Sequence, residues 1–168
     1  EIQKHVYVEK EFKDSWLETN EFGDSYIKEE LQGGYHYHFD QQFLEIFFNT
    51  GGKIELYNYS IKKNDLIISG EMIPPKTIRL VHPHLDNVTS EGVIIHELGH
   101  YFDEKHQFSS SKQFTKLYKK YRTLFNQKTK KEYFAECFKE YVGGHQEKVK
   151  PFHSYMKTIT QKIRQKNK

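Results

Sequence analysis

The pentapeptide His96-Glu97-Leu98-Gly99-His100 constrains this chain more than any other stretch. Around it, Ile94, Ile95, Leu98, Tyr101 and Phe102 recur at helical spacing, with His96, Glu97, His100 and Asp103 toward the other side. The pattern predicts a helix over residues 90–105, with Thr89 or Ser90 as N-cap, one face buried and the other polar. Two histidines four positions apart lie one turn apart on the same face, so both imidazoles can bind one metal ion. Glu97, beside the first histidine, can reach a metal-bound water without binding the metal. This is the arrangement for zinc-assisted peptide hydrolysis. Zinc lowers the pKa of water toward ~7 and polarises the carbonyl, while the glutamate takes the water proton.

A catalytic zinc needs a third protein ligand and an open position. The second constellation is Glu132-Tyr133-Phe134-Ala135-Glu136. Glu132 and Glu136 again share one helical face, opposite in character to Phe134 and Phe138. One carboxylate can bind zinc, and the other can accept the free N–H of a ligand histidine and fix its tautomer. The plainer alternative is a pair that solubilises a helix.

Together, His96-Glu97-Leu98-Gly99-His100 and the later Glu132-Tyr133-Phe134-Ala135-Glu136 resemble the peptidase domain of anthrax lethal factor and its relatives, which include the Pro-Pro endopeptidases. The stretch Lys150-Pro151-Phe152-His153-Ser154-Tyr155 resembles that family's last helix. The motifs cover residues 76–165; before them only the order of elements matches. The resemblance implies zinc held by His96, His100 and Glu132, with Glu97 as general base and Glu136 behind the ligands. A gluzincin reading gives the same assignment. It also implies a zincin-like α+β fold: a small mixed sheet and an active-site helix, followed by a helical C-terminal half. A protein or peptide substrate and a secreted, toxin-like bacterial protein follow from it. One position departs from the pattern. The family carries a tyrosine seven residues before the ligand glutamate, whose phenol stabilises the oxyanion. Here that position is Phe125. Tyr121, or Tyr118, is then the candidate donor; otherwise the role is absent, and the chain is a zinc-bearing binding module with weak or no turnover.

The rest of the chain bounds these readings. Its 168 residues suit one domain, with a sheet-bearing half over about 1–104 and a helical half over about 105–168. With 36% apolar residues, the core must draw on 13 Phe and 12 Tyr. One cysteine, Cys137, excludes a cystine scaffold or a cysteine zinc finger, and it falls on an apolar helix face. No apolar run approaches the roughly 18–20 residues of a membrane span. The chain starts at Glu1, so any signal peptide is expected to be gone.

The net charge of +3 hides a split. Residues 1–104 carry 9 Lys/Arg against 19 Asp/Glu, and residues 105–168 carry 17 against 4. The basic half is mostly lysine at solvent-facing helical positions, with three arginines in the whole chain, so no nucleic-acid partner is expected. Neither a membrane partner nor an oligomer is expected.

Strands are predicted at 5–9, 53–59, 65–69 and 76–82, the last either as an edge strand able to receive an extended peptide or as an ordinary sheet strand. Short helices broken near Gly23 are predicted within 10–31. Further helices are predicted at 40–49, 111–125 and 131–142, and from Pro151 onward. His82 and His84 read as loop histidines. His36 and His38 read as a loop or strand near a groove.

Overall fold

The computed structural model describes residues 2–83, 91–127 and 129–165. A four-stranded mixed sheet is built from β1 (Val6–Val8), β2 (Lys53–Tyr57), β6 (Thr77–Val81) and β5 (Gly70–Ile73), in that spatial order. β1, β2 and β6 run parallel, and β5 pairs antiparallel to β6. The alternation read in the sequence governs which side is buried. Ile54 and Leu56 of β2 pair with Ile78 and Leu80 of β6, and all four are fully buried. β6 is therefore interior. The edge strands are β1 and β5, not 76–82 as its alternation suggested; alternation reports a half-buried strand but not its neighbours.

The strand expected at 65–69 is present, paired with a strand that the sequence reading did not pick out. β3 (Ile61–Lys63) and β4 (Leu66–Ile68) form a separate hairpin. It turns at Asn64 and Asp65, both in the left-handed region at φ 51° and 64°. Two such residues make the tight turn whose twist matches a hairpin. Leu66 and Ile67 stay exposed on it.

In the N-terminal part, α1 (Lys13–Leu17) and α2 (Tyr26–Leu31) flank the break at Gly23, and α3 (Gln42–Asn49) follows. α4 (Val93–His106) starts later than expected. Its N-cap is Gly92 at φ 76°, preceded by a turn, because the Gly92 N–H bonds the Gly33 carbonyl. Thr89, Ser90 and His84 lie outside the described residues. α5 (Lys112–Lys120) stops short of the expected 125. The Tyr133 hydroxyl donates to the Tyr121 carbonyl, the acceptor that another helical turn would use. α6 (Lys130–Val142) is capped by Thr129, whose side chain accepts from the Glu132 N–H. Pro151 does not open the last helix: it sits in a 3-10 stretch, and α7 (His153–Gln165) begins two residues later. No described helix is long and apolar enough to cross a membrane.

The aromatic core joins these layers. Phe43 meets Phe102 and Phe138 edge-on, at 6.0 and 5.7 Å. α4 and α6 cross closely at Gly99, where an added Cβ would stand 3.2 Å from both the Ala135 Cα and the Phe138 Cβ. Gly99→Val is expected to destabilise the fold by about 1–3 kcal/mol, the usual range for overpacking a rigid contact. Urea unfolding would measure it, and a change under about 0.5 kcal/mol, the scale of a neutral surface substitution, would show that the crossing tolerates bulk.

Candidate metal centre

The helical spacing places His96 and His100 one turn apart on α4, with ring centroids 4.8 Å apart. α6 crosses this face with its own pair. The Glu132 carboxylate bridges the two histidines: Oε2 lies 2.9 Å from His96 Nε2 and Oε1 lies 3.0 Å from His100 Nε2. One ligand atom from each of His96, His100 and Glu132 falls within 4.8 Å of the others, and this is the group among the described residues that can hold a metal ion. Two imidazole nitrogens and one carboxylate suit zinc, and three protein donors leave a position open.

Glu136 lies on the other side of His96 from Glu132. Its Oε1 stands 2.8 Å from His96 Nδ1, close enough for an ion pair though off the axis of the ring N–H. With Nδ1 of His96 facing Glu136, Nε2 faces Glu132. Glu97 is buried, at 6% exposed, and lines the same groove. Burial pushes its carboxyl above the usual range, and His96 and His100 pull it partly back. A raised carboxyl is a better proton acceptor near neutral pH.

The groove has a cavity volume of about 850 Å³. α4 forms its floor, β5 and residues 67–69 line one side, and α6 lines the other. Gln127, Lys131 and Lys139 reach it from the α6 side. The hairpin wall and Lys139 were missed in the sequence. Lys139 follows Glu136 at helical spacing, which was the available signal.

The other singled-out residues lie elsewhere. The Tyr121 ring packs against Phe152 at 6.0 Å and is not among the groove-lining residues. Tyr118 packs against Tyr133 at 5.0 Å. Phe125 meets the same Tyr133 edge-on at 5.3 Å. None of the three contributes to the groove lining. His82 is a loop residue just after β6, as expected, but a buried one, with Trp16 and Tyr26 edge-on at 5.0 and 4.8 Å. His36 pairs with Glu91 at 2.7 Å, at the groove's margin. Cys137 is buried, which pushes its thiol well up and leaves it unreactive.

No protein-family model matches the chain. No curated protein matches it either. Among solved structures, the fold is similar to that of the Pro-Pro endopeptidase PPEP-2 from Paenibacillus alvei, with a TM-score of 0.61. The two chains are 15% identical over 98% of each. The likeness is one of fold: a mixed α+β architecture with a small sheet and a helical C-terminal half.

The three candidate residues carry a pH signature of their own. Burial opposes a charge on His96, but Glu132 and Glu136 outweigh it and raise its pKa to about 9. A pKa raised above the unfolded value of about 6.5 stabilises fully below that value, and the contribution is lost as pH rises through the folded one. His100 and then His96 hold the Glu132 carboxyl well below the usual range, so its contribution is lost in acid instead. Chelator-treated protein is therefore expected to lose melting temperature from pH 6.5 to 9. Added zinc, which requires neutral histidines, should stabilise increasingly over the same window. A flat metal-free profile there would contradict the pairing.

Proposed function

We propose that this chain is a zinc-dependent endopeptidase. One observation carries the reading: His96, His100 and Glu132 converge on a point in a groove that Glu97 also lines. Zinc held by those three residues would supply Lewis acidity, acidifying water toward a pKa of ~7 and polarising a peptide carbonyl. Glu97 accepts the proton of the attacking water. Glu136 holds the orientation of His96. A peptide lies along β5, an edge strand, and adds to it by main-chain hydrogen bonds. The similarity in fold to a Pro-Pro endopeptidase supports peptide hydrolysis and makes proline-containing peptides the first to test. In this reading the chain acts as a single domain and a monomer, and the family resemblance implies that it works outside a bacterial cell.

A second reading has its own observation. Phe125 stands where the resembling family carries its phenol, and Tyr118 and Tyr121 do not line the groove. A chain lacking an oxyanion donor would keep zinc and turn over slowly, serving as a binding module. Digestion of a mixed peptide library, read by mass spectrometry with a chelator control, separates the two. Chelator-sensitive cleavage supports the endopeptidase; no cleavage by folded, zinc-loaded protein supports the binding module.

Two variants sharpen this. Glu97→Gln should lower turnover roughly 10²–10⁴-fold, the usual worth of a positioned acid–base group, with zinc content unchanged. Retained turnover would remove Glu97 from the chemistry. Phe125→Tyr should change turnover by less than about threefold, because the ring faces Tyr133 rather than the groove; restoring an oxyanion donor would instead raise it roughly 10²–10³-fold.

A further inference from the structure

We propose that Lys139 is a positioning residue for the metal centre, holding Glu136 against His96 from a buried charge network anchored in the N-terminal half. The inference rests on the reading that His96, His100 and Glu132 bind the metal.

Lys139 lies one turn beyond Glu136 on α6, and its side chain is 16% exposed. Its Nζ is 3.0 Å from Glu136 Oε2 and 3.7 Å from Glu140 Oε1. Glu136 is thus held at both oxygens, Oε1 by His96 and Oε2 by Lys139. The second hold matters because the first is off-axis. An approach that does not follow the ring N–H leaves the carboxylate's rotation weakly defined, and Lys139 defines it.

Lys139 is itself held from the far side. The Tyr37 hydroxyl donates to Glu140 Oε1 at 2.9 Å, and His145 Nδ1 lies 2.9 Å from Glu140 Oε2. His145 Nε2 in turn contacts the His36 carbonyl at 2.7 Å. The Lys139 ammonium also sits over the Tyr37 ring, 5.8 Å from its centre. Two glycines leave the space for this. A Cβ on Gly92 would stand 2.7 Å from Lys139 Cδ, and one on Gly143 would stand 2.4 Å from Tyr37 Cδ1. Without Lys139, the Glu136 and Glu140 carboxylates, one turn apart on α6, lose the cation between them. Their repulsion turns Glu136 away from His96, and the ligand loses its orientation.

The test is zinc affinity, by competition with a fluorescent chelator, read apart from activity. Lys139→Met should weaken zinc binding about 10-fold or more, the usual effect of disturbing a ligand's hydrogen-bond partner. Lys139→Arg, which keeps the charge, should stay within about threefold of the parent. The decisive comparison is the background. In Glu136→Gln protein, adding Lys139→Met should change affinity less than about twofold, because the path through Glu136 is already cut. Lys139→Gln, which removes the charge but keeps a donor, is carried in parallel and should match the methionine variant, so that misfolding of one does not void the test. Unchanged affinity in folded Lys139→Met or Lys139→Gln would overturn the inference. So would an equal loss in both backgrounds, which marks a general packing effect. A parent protein that takes up no zinc would overturn the metal reading itself, and the inference with it.

Discussion

The close crossing of α4 and α6 is the contact on which the rest of the structure depends. Gly99 lies between the two histidines of α4, and Ala135 lies between the two glutamates of α6. With no side chain at one position and a methyl at the other, the helices approach until a Cβ at Gly99 would press on the Ala135 backbone. That approach brings the Glu132 carboxylate within hydrogen-bonding distance of both imidazoles. Helices held a further side chain apart would leave the same four residues facing one another across a gap. The aromatic core enforces the approach, since Phe138 of α6 packs against Phe102 of α4 and Phe43 of α3.

The same crossing concentrates charge where solvent is scarce. Glu97, Glu136, Lys139 and Glu140 are each buried or nearly so. Unpaired, any of them would cost several kcal/mol. The structure offsets this by alternating sign along one face of α6, with Glu136, Lys139 and Glu140 in succession, backed by Tyr37 and His145. Of the four acidic residues in the basic half, Glu132, Glu136 and Glu140 are drawn inward into pairs with His96 and His145.

Much of the local structure was readable because local patterns determine it. The periodicity around His96 and that around Phe134 each marked a helix, and alternation in 53–57 and 77–81 marked strands. The errors fell where partners distant in sequence decide. The hairpin at 61–68 was partly hidden because Asn64-Asp65 is a weaker turn signal than a glycine pair. Residues 76–82 looked like an edge because alternation does not say what lies alongside. Helix α5 ended early at Tyr121, whose backbone leaves the helical region and whose carbonyl accepts from Tyr133, twelve residues on. His82 is the loop residue it read as, but its burial was hidden because Trp16 and Tyr26, which pack on it, lie more than fifty positions away.

By itself the sequence determined which side chains share a helical face: His96 with His100, and Glu132 with Glu136. Four-residue spacing is a property of the helix alone. Only the tertiary structure decided that these two faces meet, that β5 rather than β6 borders the groove, and that Tyr118, Tyr121 and Phe125 turn toward Tyr133 and Phe152 instead. It also placed Tyr37 and His145 around Glu140. Each of those outcomes depends on contacts between segments far apart in the chain, set by how aromatic side chains fill the core, and no local pattern encodes them.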